Sequence, residues 1–201
     1  MKMTQLEKFF VNTSAKGLRN VERLRSSLEQ LDTRGMHDAL ELGCGIGVVS
    51  AFLAESYGMK VHGTDVDVDQ IRGAKQAHAE NGRLSFSVQD AARLCFEDNR
   101  FDLVVSQNVF HHFPDWPGAV REVARVLRDG GFFIWYDLAV PKLLRRPLSF
   151  LSRRAGVYTL DGIRLAFQEN GLETHSYEWV RHGPFGHHSF VLRKAPATHR
   201  S

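Results

Sequence analysis

A glycine-rich turn between two acidic residues is the feature of this sequence that most directly suggests chemistry. Glu41 precedes Gly43, Gly45 and Gly47, and Asp65 follows this turn. Such glycines let the backbone approach a ligand closely, and amides at the start of a following helix can donate to it. A carboxylate about 20 residues downstream can accept from both hydroxyls of a ribose. The pattern therefore predicts a site for a ligand that contains a ribose.

The spacing of these glycines separates two classes of ligand. The dinucleotide-binding fingerprint places its third glycine where this chain has Val48, whereas the third glycine here is Gly47. A nicotinamide-dependent oxidoreductase is therefore the less favoured interpretation.

Strands and helices alternate around the turn. We predict strands at 38–42, 60–64, 84–88, 101–106 and 132–136, and helices at 48–57, 68–80 and 117–127. This alternation is typical of a parallel sheet with helices on both faces. In such sheets, ligands bind beyond the carboxyl ends of the strands, which is where the glycine turn should lie.

The two flanks of this region predict further elements. Apolar residues recur at three- and four-residue steps from 4 to 31, which indicates amphipathic helix in two pieces broken near 12–17. Thr159 should cap a helix that ends at Gly171, and strands at 173–181 and 189–194 should form a hairpin. We therefore expect an α/β, doubly wound, mostly parallel seven-stranded sheet with an antiparallel C-terminal hairpin.

Further motifs follow the glycine turn in a fixed order. They are the segment 39–47 with the glycines, Gly63-Thr-Asp-Val-Asp67, Gln89-Asp-Ala91, the run 96–106, and the run 123–131 that ends in two glycines. Together they resemble class I S-adenosylmethionine-dependent methyltransferases of the Rossmann-like kind, and most closely the group that includes quinone-biosynthesis methyltransferases. Cys95 stands where the family usually has proline, and Arg128-Asp129 stands where it has Lys-Pro, so the loops at these positions can differ in shape from those of the family.

The resemblance implies that the cofactor is S-adenosylmethionine and the product S-adenosylhomocysteine. Gly43, Cys44 and Gly45 would line the methionine portion, Glu41 would orient its ammonium group, and the Gln107 carbonyl would accept from that group. For Glu41 the alternative is a capping or surface carboxylate. Cys44 fits as a small residue between glycines, and nothing near it indicates a nucleophilic thiol.

The resemblance also assigns the nucleoside. Asp65 would hold the ribose and Val66 would pack against the adenine. Asp90 would accept from the exocyclic amine, and the Ala91 amide would donate to the ring. For Asp65 the alternative is a turn-forming role, because aspartate is common where strands end.

The acceptor side contains two candidate catalytic residues, His111 and His112, in the segment that follows the fourth strand. Methyl transfer is an in-line displacement that needs a base only for a protonated nucleophile. A histidine can take a proton near neutral pH, but a packing or capping role for this pair is equally open. Asp137 ends the fifth strand and either faces the same crevice or caps the next loop.

Motifs for other acceptors are missing. The segment 106–114 lacks the pattern for methylating base amino groups, and we find no carboxylate cluster for a metal ion. His182, His187 and His188 have no metal-site spacing, so we expect solvent-exposed histidines and no metal. The acceptor should be a small molecule methylated on oxygen, nitrogen or carbon. The alternative function is a non-catalytic S-adenosylmethionine-binding regulatory or partner subunit.

Composition also argues against nucleic-acid-binding and membrane-spanning proteins. A net charge of +3 with intermixed signs offers no basic arm for nucleic acid, and no run of eighteen apolar residues predicts a transmembrane segment. Two distant cysteines favour a reducing cytoplasm. The oligomeric state cannot be read.

The 201 residues suggest one methyltransferase domain. Its parts would be an N-terminal helical cover at 1–34, a cofactor-binding core at 38–138, a lid at 139–158, and a C-terminal helix and hairpin at 159–194. The segment 141–156 interleaves basic and leucine residues, so it could be a lid, a peripheral membrane patch or a plain surface loop. Phe9 and Phe10 could complete the cover.

Overall fold

The computed structural model describes residues 5–141, 156–180 and 186–196, with side chains from Gly17 onward. Within these ranges, helices and strands follow one another up to the fifth strand, except that the third and fourth strands have no helix between them. The elements are α1 (Gln5–Leu28), β1 (Asp38–Leu42), α2 (Val48–Tyr57), β2 (Lys60–Asp65), α3 (Val68–Ala77), β3 (Leu84–Val88), β4 (Phe101–Gln107), a 3₁₀ turn (Phe110–His112), α4 (Trp116–Val126), β5 (Leu127–Leu138), α5 (Leu160–Glu169), β6 (Leu172–Val180) and β7 (His187–Lys194).

The strands form one seven-stranded sheet in the order β3-β2-β1-β4-β5-β7-β6. The first five strands pair in parallel, and β7 pairs antiparallel with both β5 and β6. The chain lays down β1, β2 and β3 in one direction and then returns to place β4 on the other side of β1. This reversal puts the predicted glycine turn at the switch point of the sheet, where ligands of open α/β sheets bind. The predicted fold class is confirmed.

Helices cover both faces of the sheet. On one face, α1 and α2 bury Leu24, Leu28 and Leu53 against Val105 and Ile134. On the other face, α4 and α5 pack against the sheet around an aromatic core, whose members are Phe133, Trp135 and Phe190 of the strands and Phe167 of α5. The two clusters fix the sheet from both sides, so the loops at its carboxyl edge stand on a rigid base.

The helix starts follow local side-chain chemistry. Asp67 accepts from the Asp69 amide at 2.8 Å at the start of α3, and Asp115 accepts from the Gly118 amide at 3.0 Å at the start of α4. The predicted cap of α5 is confirmed, because the Thr159 hydroxyl accepts from the Gly162 amide at 3.2 Å. Such caps satisfy amides that have no partner inside the helix.

Two elements differ most from the prediction. The N-terminal segment is a single helix through residues 12–17, because Gly17 lies against α2, where an added Cβ would lie 3.0 Å from a methyl carbon of Val48. Strand β5 begins at Leu127 instead of 132, because Leu127 pairs with Phe101 before the register shifts. Among the described residues, no helix is both long and apolar enough to cross a membrane.

Candidate active site

A cavity of about 1040 Å³ lies at the carboxyl ends of β1, β2 and β4. The glycine turn after β1, the acidic turn after β2, the turn at 89–91 and the segment after β4 form its walls. Helix α1 adds Gly17 and Asn20. Every residue predicted to bind the cofactor lines this cavity: Glu41, Gly43, Cys44, Gly45, Asp65, Val66, Asp90, Ala91 and Gln107.

The glycine turn requires glycine for both backbone and space. Gly43 and Gly47 have φ of 67° and 83°, in the left-handed region that side chains disfavour. A Cβ on Gly43 would collide with the side chain of Val109, and one on Gly47 would lie 2.7 Å from the Phe86 ring. The turn therefore fits closely between the segment after β4 and the Phe86 side chain of β3.

Asp65 ties the end of β2 to the glycine turn. One of its carboxylate oxygens accepts from the Gly45 amide at 3.0 Å, and the other accepts from the Asp67 amide at 3.0 Å. A carboxylate has about four lone-pair sites, so both oxygens can still accept from a ligand. Val66 beside it is 62% exposed and presents an apolar surface to the cavity.

Glu41 is a buried acid at the floor of the cavity. The Ser50 hydroxyl donates to its carboxyl group at 2.5 Å, and burial raises the pKa of Glu41 to about 8. The nearby Asp65 carboxylate also favours the protonated form. Glu41 is therefore largely uncharged at neutral pH until a cation approaches it.

Cys44 is also buried, and burial raises the pKa of its thiol, with further contributions from the carboxylates of Glu41 and Asp65. The thiolate is the nucleophilic form of cysteine. The raised pKa disfavours that form, and Cys44 lines the cavity as a small side chain between two glycines.

The turn after β3 completes the far wall. Asp90 is exposed and accepts from the Ala92 amide at 2.9 Å, which leaves its second oxygen directed to solvent or ligand. Ala91 is buried. The Gln89 amide donates to the Asp65 carbonyl at 3.0 Å and so connects this turn to the end of β2.

Asn20 is a site residue that the sequence analysis did not identify. Its main-chain oxygen accepts from the Gln107 side-chain amide at 3.2 Å, and its Oδ1 atom accepts from Asn108 at 3.1 Å. Asn108 has a φ of 57°, so the chain turns sharply as it leaves β4. The two amides anchor α1 over the cavity. A polar residue at position 20 of an amphipathic helix was the only sequence signal.

The two candidate catalytic histidines have different positions. His112 lines the cavity, whereas the ring of His111 turns away from it toward Asp137. The His111 Nδ1 atom lies 2.6 Å from an Asp137 carboxylate oxygen, and the His111 amide donates to the other oxygen at 3.3 Å. The centroids of the two imidazole rings lie 4.0 Å apart. Either histidine is therefore close to the space beyond β4.

The expectation of solvent-exposed histidines in the hairpin is wrong for His188. This residue is buried, and its Nδ1 atom lies 2.9 Å from the Tyr177 hydroxyl. His187 is half-buried, and its ring stacks on that of Tyr136 with the two centroids 5.1 Å apart. The His188 contact follows from the pairing of β7 with β6, and the His187 contact from the pairing of β7 with β5. His182 lies outside the described residues.

Other predictions also concern residues that the structure does not describe. Nearly all of the segment 141–156 lies outside the described ranges, and so do the side chains of Phe9 and Phe10. In the part of the chain that is described, no group of three or more His, Cys, Asp or Glu side chains could hold a metal ion.

Comparisons with known proteins agree with this geometry. Residues 40–135 match the model of a methyltransferase domain family. The chain is 37% identical over 123 residues to methyltransferase GfsG of Streptomyces halstedii, across 59% of this chain and 44% of that protein. It is 34% identical over 145 residues to a fatty-acid O-methyltransferase of Mycolicibacterium smegmatis, across 68% of this chain and 52% of that protein.

A solved structure has the same fold. Phosphoethanolamine N-methyltransferase 2 of Haemonchus contortus, in complex with S-adenosylmethionine, superposes with a TM-score of 0.73 at 17% identity, across 87% of this chain and 52% of that one. The chain spans about half the length of the curated relatives described above.

Proposed function

We propose that this chain is a class I S-adenosylmethionine-dependent methyltransferase that transfers the methyl group of its cofactor to a small-molecule acceptor. One observation carries the proposal. The glycine turn, Glu41, Asp65 and Asp90 come from three separate turns and line one cavity at the switch point of the sheet. A fold of this kind serves many functions, so the proposal rests on this site.

The polar groups that line the cavity suit S-adenosylmethionine. We assign the ribose hydroxyls to Asp65, because its carboxylate is held by two backbone amides and retains free lone pairs. Asp90 and the Ala91 amide are assigned to the polar edge of adenine, and the exposed side chain of Val66 to its face. The uncommitted oxygen of Asp90 supports this assignment.

The methionine end is assigned to the turn itself. Gly43, Cys44 and Gly45 would line this portion, while Glu41 and the Gln107 carbonyl would face its ammonium group. A buried carboxyl whose proton can leave when a cation arrives is suited to this task. When bound, the cofactor supplies an activated methyl group on a sulfonium.

The residues of this chain would orient the acceptor, exclude water and accept a proton where the acceptor carries one. His112 faces the cavity directly, and His111 is held by Asp137. We propose that one of them is the base for an oxygen or nitrogen nucleophile. With Nδ1 of His111 donating to Asp137, its Nε2 atom would be the proton acceptor.

A small-molecule acceptor is supported by the names of relatives such as the fatty-acid O-methyltransferase. We also propose that residues 1–201 form one domain. A cytoplasmic location is consistent with the two cysteines, both of which are free thiols.

Transfer of a tritiated methyl group to a fractionated metabolite extract would test the proposal and identify the acceptor. Calorimetry against S-adenosylmethionine, S-adenosylhomocysteine and NADH provides the companion measurement. We expect binding of the first two, no binding of NADH, and label in a small-molecule fraction. Cofactor binding without any transfer would favour the non-catalytic partner subunit instead.

A further inference from the structure

A row of polar side chains leads from the cavity along the carboxyl ends of β4 and β5, beneath α1. It begins at Gln107 and Asn108, which both donate to Asn20. It continues to Arg23, whose guanidinium donates to Asn20 Oδ1 at 3.4 Å. Because Asn20 lines the cavity, Arg23 stands one helical turn away from the cavity wall.

The charge of Arg23 is only partly compensated. Its guanidinium lies 4.4 Å from the centroid of the Tyr136 ring, and its hydrogen bond to Asn20 is long. Among the residues that the structure describes, no carboxylate forms an ion pair with Arg23. A guanidinium has five N–H donors, so most of them can bind a ligand.

Two buried polar atoms beside this row have no hydrogen-bond partner among the described residues. They are the Oε1 atom of Gln107 and the hydroxyl of Tyr136. Gln107 and Tyr136 are paired neighbours in β4 and β5, so their side chains lie on the same face of the sheet. Burial raises the pKa of Tyr136, so its hydroxyl stays a neutral donor. Buried polar groups normally have partners, so the Tyr136 hydroxyl can still donate to a ligand and the Gln107 Oε1 atom can still accept from one.

A cation and an adjacent O–H donor are the groups that recognise an oxyanion. We propose that the acceptor carries a carboxylate or a phosphate ester, bound by Arg23 and Tyr136, and that the rest of it extends past Gln107 toward the cavity. This inference rests on the proposed function, because it names the class of acceptor for the same site.

Calorimetry on the complex with S-adenosylhomocysteine tests the inference without requiring turnover. The probes are hexanoate, hexyl phosphate and hexan-1-ol, which share an alkyl chain and differ in the head group. We expect one or both anions to bind the wild-type complex, and the one that binds more tightly identifies the class of oxyanion. Hexan-1-ol should bind much more weakly.

The variants separate a specific contact from general attraction. Arg23→Gln should weaken binding of the anionic probe by about tenfold, because a charge-assisted contact is lost. Tyr136→Phe should weaken it by about threefold while keeping the ring under Arg23. Arg25→Gln is the matched control, because Arg25 carries the same charge on the same helix but lies over Phe52 and beside Glu22.

Three results would overturn the inference: no anion binding by the wild-type complex, equal binding of the anions and the alcohol, or an equal loss in Arg25→Gln. None of these would affect the proposed function as long as S-adenosylhomocysteine still binds. Failure of the wild-type protein to bind S-adenosylhomocysteine would instead contradict the proposed function.

Discussion

The His111 Nδ1 atom lies 2.6 Å from a carboxylate oxygen of Asp137, and Asp137 is completely buried. A buried carboxylate needs a partner, and this one accepts from the His111 ring, the His111 amide and the Leu138 amide. The side chain of His111 is 25% exposed, although it does not line the cavity. This arrangement of an oriented imidazole is typical of a general base.

Asp137→Asn should therefore lower kcat for an oxygen or nitrogen acceptor by at least about tenfold, because the amide can favour the wrong tautomer of His111. The Kd for S-adenosylhomocysteine should stay within about twofold, since Asp137 does not line the cavity. The measurement is kcat as a function of pH from 6 to 9 for wild type, Asp137→Asn, His111→Ala and His112→Ala. Full activity of His111→Ala across this range would show that His111 serves packing and would leave His112 as the candidate.

Asp65→Ala should weaken binding of S-adenosylhomocysteine by about 2 kcal/mol, or roughly thirtyfold, because charge-assisted contacts to the ribose are lost. Asp69→Ala removes the same charge from the exposed first turn of α3, where Asp69 pairs with Arg72, and should leave affinity unchanged. Isothermal calorimetry measures both. Equal affinities for the two variants would contradict the assignment of the ribose to Asp65.

Much of the fold can be read from the sequence because its signals are local. The alternation of apolar runs and helical patterns between residues 38 and 138 predicts the parallel strands, and Thr159 predicts the start of α5. The continuity of α1 cannot be read in this way. Gly17 is a helix-weakening residue by propensity, and only its close contact with Val48 of α2 shows why it is tolerated there.

The residues of the candidate site also fall into those that the sequence predicts and those that only the packing reveals. Residues on the ordered motifs, such as Gly43 and Asp65, can be found because spacing along the chain is enough. Asn20 meets Gln107 and Asn108 across 87 and 88 residues of sequence, and His111 meets Asp137 across 26. Such pairings depend on how α1 and β5 pack, which no local pattern specifies.

Binding of S-adenosylhomocysteine at pH 7 should release a proton from Glu41. Burial raises the pKa of this carboxyl to about 8, and the ammonium group of the ligand would favour its charged form. The apparent binding enthalpy should therefore differ between phosphate and Tris buffers in wild type. The matched control is Glu41→Gln, which has no proton to release and should show one enthalpy in both buffers.

The same group should make the stability of the ligand-free protein depend on pH. The folded carboxyl keeps its proton to higher pH than the unfolded one, whose pKa is near 4.5. The contribution of Glu41 to the free energy of unfolding should therefore be highest below about pH 4.5. It should fall by up to about 5 kcal/mol as the pH rises through 8. Urea titrations of wild type and Glu41→Gln isolate this contribution, and identical pH profiles would contradict it.

Gly43→Ala should destabilise the protein by about 2 to 4 kcal/mol and weaken cofactor binding, because it combines a left-handed backbone with a collision. Gly58→Ala provides the comparison, since Gly58 has a φ of 69° with open space around it. It should cost about 1 to 2 kcal/mol and leave cofactor affinity unchanged. Val109→Ala added to Gly43→Ala should recover part of the lost stability. Equal effects of Gly43→Ala and Gly58→Ala would show that the collision with Val109 has no cost.

Asn20→Ala should loosen α1 over the cavity, because Asn108 and Arg23 both lose their acceptor. The expected cost is about 1 kcal/mol, since the main-chain oxygen of residue 20 still accepts from Gln107. Hydrogen exchange in the complex with S-adenosylhomocysteine should speed up for amides of α1 and stay unchanged for α5, which packs on the other face of the sheet. Asn20→Asp keeps an acceptor at the same place and should retain most of the protection. If Asn20→Ala and Asn20→Asp exchange alike, α1 is held by its apolar contacts alone, and the polar anchor has no role in covering the site.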